Sequence, residues 1–315
     1  MGLSPLGRRR QKTEKIKKVI FMKEVVFTGA GVAIVTPFTD DGINFDELGR
    51  LIEDQIKNGT DAIVITGTTG ESATMSDAEH KRAIRYAVEK ARGRVPVIAG
   101  TGSNETAYAV ELTQYAAEVG ASAALVVTPY YNKCTQNGLI RHYEKIADSV
   151  NMPIILYNVP SRTGVSIKTE TYAKLSRHPG IVAVKEASGD LSSVLKTRAA
   201  CGEELAIYSG NDDQIVPILS LGGKGVISVL SNVMPKATHD ICALYFEGKT
   251  AEAAKLQIEL SDLIEALFVE VNPIPVKTAL RLMGYSVGSL RMPLSEMEDE
   301  TLAKLKIAMG RHGLI

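Results

Sequence analysis

From Gly31 onward, short apolar runs alternate with longer amphipathic ones. The apolar runs fall at residues 32–35, 62–66, 95–99, 123–127, 153–157, 181–185, 206–208 and 225–228 and are rich in Val and Ile. They are apolar on both faces, as strands of a parallel sheet covered by helices must be. Between them, apolar residues recur every three or four positions, as in Phe45-Leu48-Leu51-Ile52-Gln55-Ile56 and Ala107-Val110-Leu112-Tyr115-Ala116, the spacing of a one-sided helix. Eight strands, each followed by a helical stretch, predict a closed (β/α)8 TIM barrel. An open doubly wound sheet is the alternative, but it would usually follow its first strand with a G-x-G-x-x-G turn. Here the first strand runs into Thr36-Pro37-Phe38. Residues 234–315 carry no strand signal and read as a C-terminal helical extension packed on the barrel, with helices over 235–246 and 251–271 and two shorter ones. The expected organisation is a basic N-terminal extension at 1–22, a catalytic barrel at 23–233 and the helical segment at 234–315.

A chain of 315 residues holds one large α/β barrel or two ordinary domains, so length alone does not choose. Lys+Arg and Asp+Glu are both 36, which gives the whole chain no electrostatic reason to seek nucleic acid. Residues 1–22 nevertheless hold seven basic side chains against one acid, Glu14, so this segment is +6 and the remainder −6. We expect it to be a disordered extension outside the fold, with Met22 before Lys23-Glu24-Val25-Val26 resembling a natural start. Cys134, Cys201 and Cys242 are too few and too scattered for a disulfide framework or a zinc site, and a reducing cytoplasm fits them. No apolar stretch approaches the roughly 20 residues that span a bilayer, and the N-terminus lacks a signal-peptide core.

Lys185 is the most unusual residue, because it ends the apolar run Ile181-Val182-Ala183-Val184. Burying an ammonium without a partner costs several kcal/mol, so such a lysine tends to become a neutral amine. A neutral amine at a barrel mouth is a nucleophile for ketones and aldehydes and gives a Schiff base. The structural alternative is a lysine held in a salt bridge, with Glu186 as the nearest partner.

Chemistry in such barrels sits at the C-terminal ends of the strands. Those ends here supply Gly67-Thr68-Thr69-Gly70-Glu71-Ser72, Gly100-Thr101-Gly102-Ser103-Asn104, Thr128-Pro129-Tyr130-Tyr131-Asn132, Tyr157 to Gly164, Lys185 and Ser209-Gly210-Asn211. Hydroxyls, phenols, one guanidinium and one amine would thus converge. The five histidines, His80, His142, His178, His239 and His312, are dispersed, so no metal set forms and covalent amine chemistry is favoured. Gly67–Ser72 is either an ordinary tight turn or a cradle of backbone N–H groups and hydroxyls for an anion. It lacks the Gly-Lys-Ser/Thr ending of a P-loop. Tyr157 is either a core-edge tyrosine or a proton donor and acceptor beside Lys185. Arg162 is either a solvated loop residue or a grip for a substrate carboxylate. Tyr130 and Tyr131 are either interface anchors or site residues.

The strings Gly67-Thr68-Thr69-Gly70-Glu71, Tyr157-Asn158-Val159-Pro160-Ser161-Arg162-Thr163-Gly164 and Val184-Lys185-Glu186-Ala187 resemble those of the class I pyruvate aldolase/lyase superfamily and, within it, the dihydrodipicolinate synthase (4-hydroxy-tetrahydrodipicolinate synthase) family. The resemblance covers about residues 26–312. It implies condensation of pyruvate with L-aspartate 4-semialdehyde in the diaminopimelate route to lysine, without cofactor or metal, because a lysine imine does the work. It implies Lys185 as the Schiff-base residue, Tyr157 as general acid/base, and Thr68 and Tyr131 as the rest of a proton relay, with Tyr131 reaching a neighbouring subunit's site. Thr69 and Ile227 would hold pyruvate, Arg162 would receive the semialdehyde carboxylate, and Gly210 would lie among the substrate-binding positions. The resemblance also implies a homotetramer built from tight dimers.

Three features depart from the family. Cys134 stands where a proline is common, and the basic tail is extra. At the interface pocket where lysine inhibits some members, Ser72, Ala73, His80, Asn104 and Tyr130 agree, but Asp77 replaces a histidine and Tyr108 a glutamate. Loss of that carboxylate removes a charge-assisted partner worth about 1.5–3 kcal/mol, so weak or absent lysine inhibition is expected. Rival readings are a sister enzyme (N-acetylneuraminate lyase or a 2-keto-3-deoxy sugar-acid aldolase), a non-catalytic ligand-binding homologue, and a nucleic-acid protein read from the basic tail. Arg162 and the Tyr130-Tyr131 pair favour the small, carboxylate-bearing aldehyde over sugar acids. Intact Lys185, Tyr157 and Thr69 argue against the second. The −6 body, with no interleaved aromatic platform, argues against the third.

Overall fold

Each predicted run overlaps a strand, and the strands pair in parallel: β1 (Gly29–Ala33), β2 (Ala62–Ile65), β3 (Val97–Gly100), β4 (Ala123–Val127), β5 (Ile154–Asn158), β6 (Ile181–Glu186), β7 (Ala206–Ser209) and β8 (Gly225–Ser228). Each pairs with its sequence neighbours, and β1 closes the ring onto β8. The structure, a computed structural model, describes residues 23–315; the basic segment expected at 1–22 lies outside the described residues. Each strand leads into a helix: α1 (Phe45–Lys57), α2 (Asp77–Ala91), α3 (Thr106–Glu118), α4 (Gln136–Ala147), α5 (Thr169–Leu175), α6 (Leu191–Cys201), α7 (Ile215–Ser220) and α8 (Pro235–Phe246). The architecture is the (β/α)8 TIM barrel that the alternation predicts.

Period-two side-chain alternation separates two apolar cores. Inward residues such as Val64, Ile98, Leu125, Ile155 and Ile227 fill the barrel. Outward ones such as Ile63, Ile65, Val126, Leu156 and Ile207 pack against the helices. This is why the runs are apolar on both faces, and it also decides which way each strand-end residue points.

The first strand differs from the expectation. It covers Gly29–Ala33, whereas the apolar pattern points to 32–35. Gly29-Ala30-Gly31 has no β-propensity to advertise it. The pairing nevertheless demands small residues, because a Cβ on Gly225 would lie 1.8 Å from the Gly29 carbonyl oxygen. Val35 is buried but leaves the ladder, its N–H donating to Asn232 Oδ1 (3.1 Å). A small antiparallel hairpin, Phe38–Thr39 with Gly42–Ile43, has too few residues to leave a periodic signal.

The helix expected at 235–246 as part of the C-terminal segment is α8, the helix that follows the eighth strand; beyond it the segment holds α9 (Thr250–Glu259), α10 (Ser261–Ala266), α11 (Ile274–Leu282) and α12 (Asp299–Arg311). The single helix expected over 251–271 is broken at Leu260 and stops at Ala266. Its apolar period continues across the break because Leu260, Leu263 and Ile264 all bury. Pro273, which lacks an N–H, bars an uninterrupted helix into α11. The connection between α10 and α11 thereby crosses the barrel mouth and delivers Phe268 and Asn272 to it. Among the described residues, no helix is long and apolar enough to cross a membrane.

Candidate active site

Lys185 and Glu186 are the last residues of β6 and, by the strand alternation, face opposite sides of the barrel wall. Lys185 points inward and is 6% exposed. Its Nζ lies 4.5 Å from the ring centroid of Tyr157, its register partner on β5. The salt-bridge alternative fails on this geometry. Glu186 lies in the outer layer, where its carboxylate accepts from Asn158 Nδ2 (2.9 and 3.1 Å), the Tyr172 hydroxyl (2.8 Å) and the Ser188 N–H (2.9 Å). Among the described residues, no carboxylate lies within ion-pair distance of Lys185. Asn158 follows Tyr157 as Glu186 follows Lys185, so the outward pair ties together the two strand ends that present the inward pair.

The inward pair opens onto a cavity of about 160 Å³ that Thr68, Thr69, Arg162 and Gly210 also line. The loop after β2 brings Thr68 and Thr69 inward through tight turns, with Thr66 and Glu71 both at φ +55°. The neighbouring strand must give way to it, and a Cβ on Gly100 would lie 2.3 Å from the Thr66 carbonyl oxygen. Glu71, buried, anchors the loop through Lys277 Nζ (2.6 Å) and the Arg291 N–H (3.0 Å). Arg162 sits on one helical turn, Pro160–Thr163, and its Nη2 donates to the Asn272 carbonyl (3.0 Å). Gly210 packs where a Cβ would lie 2.6 Å from that of Ala187. Beyond it, buried Asp212 accepts the N–H groups of Val229 and Leu230 (3.0 and 2.9 Å); burial pushes its carboxyl pKa up and these bonds oppose the shift. A larger cavity of about 670 Å³ adjoins the first, sharing Asn211 and Phe268.

Two expected site residues stand apart. Ile227 is fully buried within the barrel core on β8, and Tyr131 is 91% exposed with φ +67°. Sequence reasoning missed Phe268, Asn272 and Lys277, which come from a segment whose helical pattern gives no sign of the barrel mouth. The candidate regulatory residues are spread over neighbouring loops. His80 Nε2 is 2.8 Å from the Gly100 carbonyl oxygen, the Asn104 carbonyl accepts from Asn132 (2.9 Å), Ser72 and Ala73 form a 3-10 turn, and Tyr130 is 38% exposed. Tyr108 donates to Asp77 Oδ1 (3.2 Å), and Lys81 pairs with both Asp77 (3.0 Å) and Glu111 (2.7 Å). Among the described residues, no three His, Cys, Asp or Glu side chains gather as a metal set.

A buried lysine and a tyrosine beside hydroxyls and one guanidinium can form an imine, move a proton and hold carboxylates. Comparison with known proteins adds to this geometry. The family described as "Dihydrodipicolinate synthetase family" matches residues 26–311. The 4-hydroxy-tetrahydrodipicolinate synthase of Thermoanaerobacter sp. is 55% identical over 291 residues, 92% of this chain and 98% of that one. The crystal structure of dihydrodipicolinate synthase from Aquifex aeolicus superposes with a TM-score of 0.90 at 45% identity, covering 91% of this chain and 99% of that one. A structure from Cyanidioschyzon merolae with lysine bound also has a TM-score of 0.90, at 40% identity over 93% of this chain and 100% of that one.

Proposed function

The chain belongs to the dihydrodipicolinate synthetase family, and from that premise we infer that it condenses pyruvate with L-aspartate 4-semialdehyde to give 4-hydroxy-tetrahydrodipicolinate in the diaminopimelate route to lysine. The observation that carries the reading is the buried Lys185 amine beside the Tyr157 ring in a small cavity edged by Arg162.

The sequence of steps follows from these groups. The Lys185 amine, in its neutral form, adds to the keto carbon of pyruvate. Tyr157 passes a proton to the oxygen, and water leaves as the imine forms. The imine draws electrons from the adjacent methyl carbon, which loses a proton to give an enamine. That carbon attacks the aldehyde, and its oxygen takes up a proton. The substrate's own amino group then adds to the imine carbon, expels Lys185 and closes the ring. Thr69 and the backbone around Ile227 are assigned to the oxo-acid carboxylate, Arg162 to the carboxylate of the aldehyde, and Gly210 to the cavity wall. No metal or other cofactor has a step in this scheme.

Thr68, Tyr157 and Tyr131 form the proposed proton relay. The outward position of Tyr131 supports its donation to a second copy of the chain, and with it a homotetramer built from tight dimers. The free Cys134, Cys201 and Cys242 fit a cytoplasmic setting. Arg162 at the cavity edge supports a small, carboxylate-bearing aldehyde over the polyhydroxylated substrates of the sister aldolases. A substrate panel tests the reading: turnover with pyruvate should occur with aspartate semialdehyde and be far lower with N-acetylmannosamine or glyceraldehyde. Preference for either sugar-like substrate would overturn it.

A further inference from the structure

Asn272 contacts residues assigned to both substrates. It is buried at the cavity edge, on the connection that crosses the barrel mouth. Its side-chain Nδ2 donates to Thr69 Oγ1 (3.0 Å), and its backbone carbonyl accepts from Arg162 Nη2 (3.0 Å). Its Oδ1 has no hydrogen-bond partner among the described residues, so the amide is oriented by the bond to Thr69 alone.

A threonine hydroxyl has one proton and two lone pairs. When an amide N–H occupies a lone pair of Thr69, the hydroxyl proton is left to point elsewhere, and the cavity beside Lys185 is where a carboxylate oxygen would accept it. We propose that Asn272 is a positioning residue that sets the Thr69 hydroxyl as a donor to the oxo-acid carboxylate, while its backbone fixes the plane of the Arg162 guanidinium. The inference rests on the proposed function, in which Thr69 holds pyruvate. The two contacts differ in one testable respect: side-chain replacement removes the Thr69 bond but leaves the carbonyl that holds Arg162.

Asn272→Asp is nearly isosteric and inverts the bond, because a carboxylate accepts the Thr69 proton and takes it from the substrate. The readout is the pyruvate concentration that half-saturates borohydride trapping at Lys185, taken with the KM for aspartate semialdehyde. The expected result is a rise in the pyruvate value of roughly tenfold or more, the scale of one hydrogen bond to a charged group, with a much smaller change for the aldehyde. In a Thr69→Val background the neutral substitution Asn272→Ala, which brings no charge to the cavity, should add little, since both changes remove one interaction. Should Asn272→Asp fail to fold, Asn272→Ala, which frees the hydroxyl without inverting it, should still raise the pyruvate value at least severalfold. An unchanged pyruvate value, or an Asn272→Ala effect that adds fully to that of Thr69→Val, would overturn the proposal while leaving the proposed function standing. Absence of any adduct in the unaltered protein would sink both.

Discussion

Lys277 Nζ lies 2.6 Å from Glu71 Oε1, with both side chains buried. Burial pushes the lysine pKa down, and Glu71 pulls it back. The ammonium also donates to the Ser289 carbonyl (2.9 Å) and lies 4.4 Å from the centroid of the Phe38 ring. The pair joins α11 to the loop that carries Thr68 and Thr69, so the C-terminal segment is part of the site's scaffold.

Breaking this pair from one side should be costly. Lys277→Met leaves a buried carboxylate uncompensated, which typically costs about 3–5 kcal/mol. Equilibrium urea unfolding should show a loss of that order. A change below about 1 kcal/mol would mean that Glu71 finds another partner.

Glu79 and Arg291 make a second tie between α2 and the C-terminal segment, with two contacts of 2.6 and 3.0 Å. Hydrogen bonding from Arg291 holds the Glu79 carboxyl at about 2, well below the usual 4.5, although partial burial works the other way. Because the folded value is the lower one, the stabilisation is present above the ordinary carboxylate range and is lost as pH falls from there toward 2. Solvent reduces its worth to about 1 kcal/mol. The melting temperature of Glu79→Gln should fall below that of the unaltered protein near neutral pH, and the gap should narrow as pH falls below about 4.5 and close only toward pH 2. A gap independent of pH would contradict the ion-pair account.

Tyr157→Phe keeps the ring beside Lys185 and removes the hydroxyl. If the phenol moves protons, kcat should fall by about 10²–10⁴-fold, while trapping of the pyruvate adduct persists at longer incubation. Full activity in this variant would assign Tyr157 to packing alone.

Feedback by lysine should be weak. Asp77 already accepts from Tyr108 and pairs with Lys81, whose ammonium holds the Asp77 carboxyl pKa down. An incoming lysine ammonium would compete with an internal one and would find no carboxylate at position 108. Titration of the activity with L-lysine checks this, and complete inhibition at sub-millimolar lysine would contradict it.

The barrel and most of its mouth were legible in the sequence because period-two and period-3.6 patterns report burial directly. Lys185 stood out for the same reason, as a charge at the end of an apolar run. The outward turn of Glu186 follows from alternation once Lys185 is placed inward, and that step excludes the salt bridge between neighbours. Asn272 and Lys277 left no such trace. Their contacts with Thr69 and Glu71 span 203 and 206 residues, and the pattern of their own segment describes helix packing alone. Tyr131 was legible as either an interface anchor or a site residue, and its 91% exposure accords with the neighbouring-subunit role that the family resemblance implies.

The central claim is that Lys185 captures a 2-oxo acid covalently. Treatment with pyruvate and borohydride, followed by peptide mapping, should place a lactyl-sized mass on the peptide containing Lys185, and Lys185→Ala should lose both the adduct and the condensation. An unmodified Lys185, or a Lys185→Ala protein that still condenses the two substrates, would contradict the account.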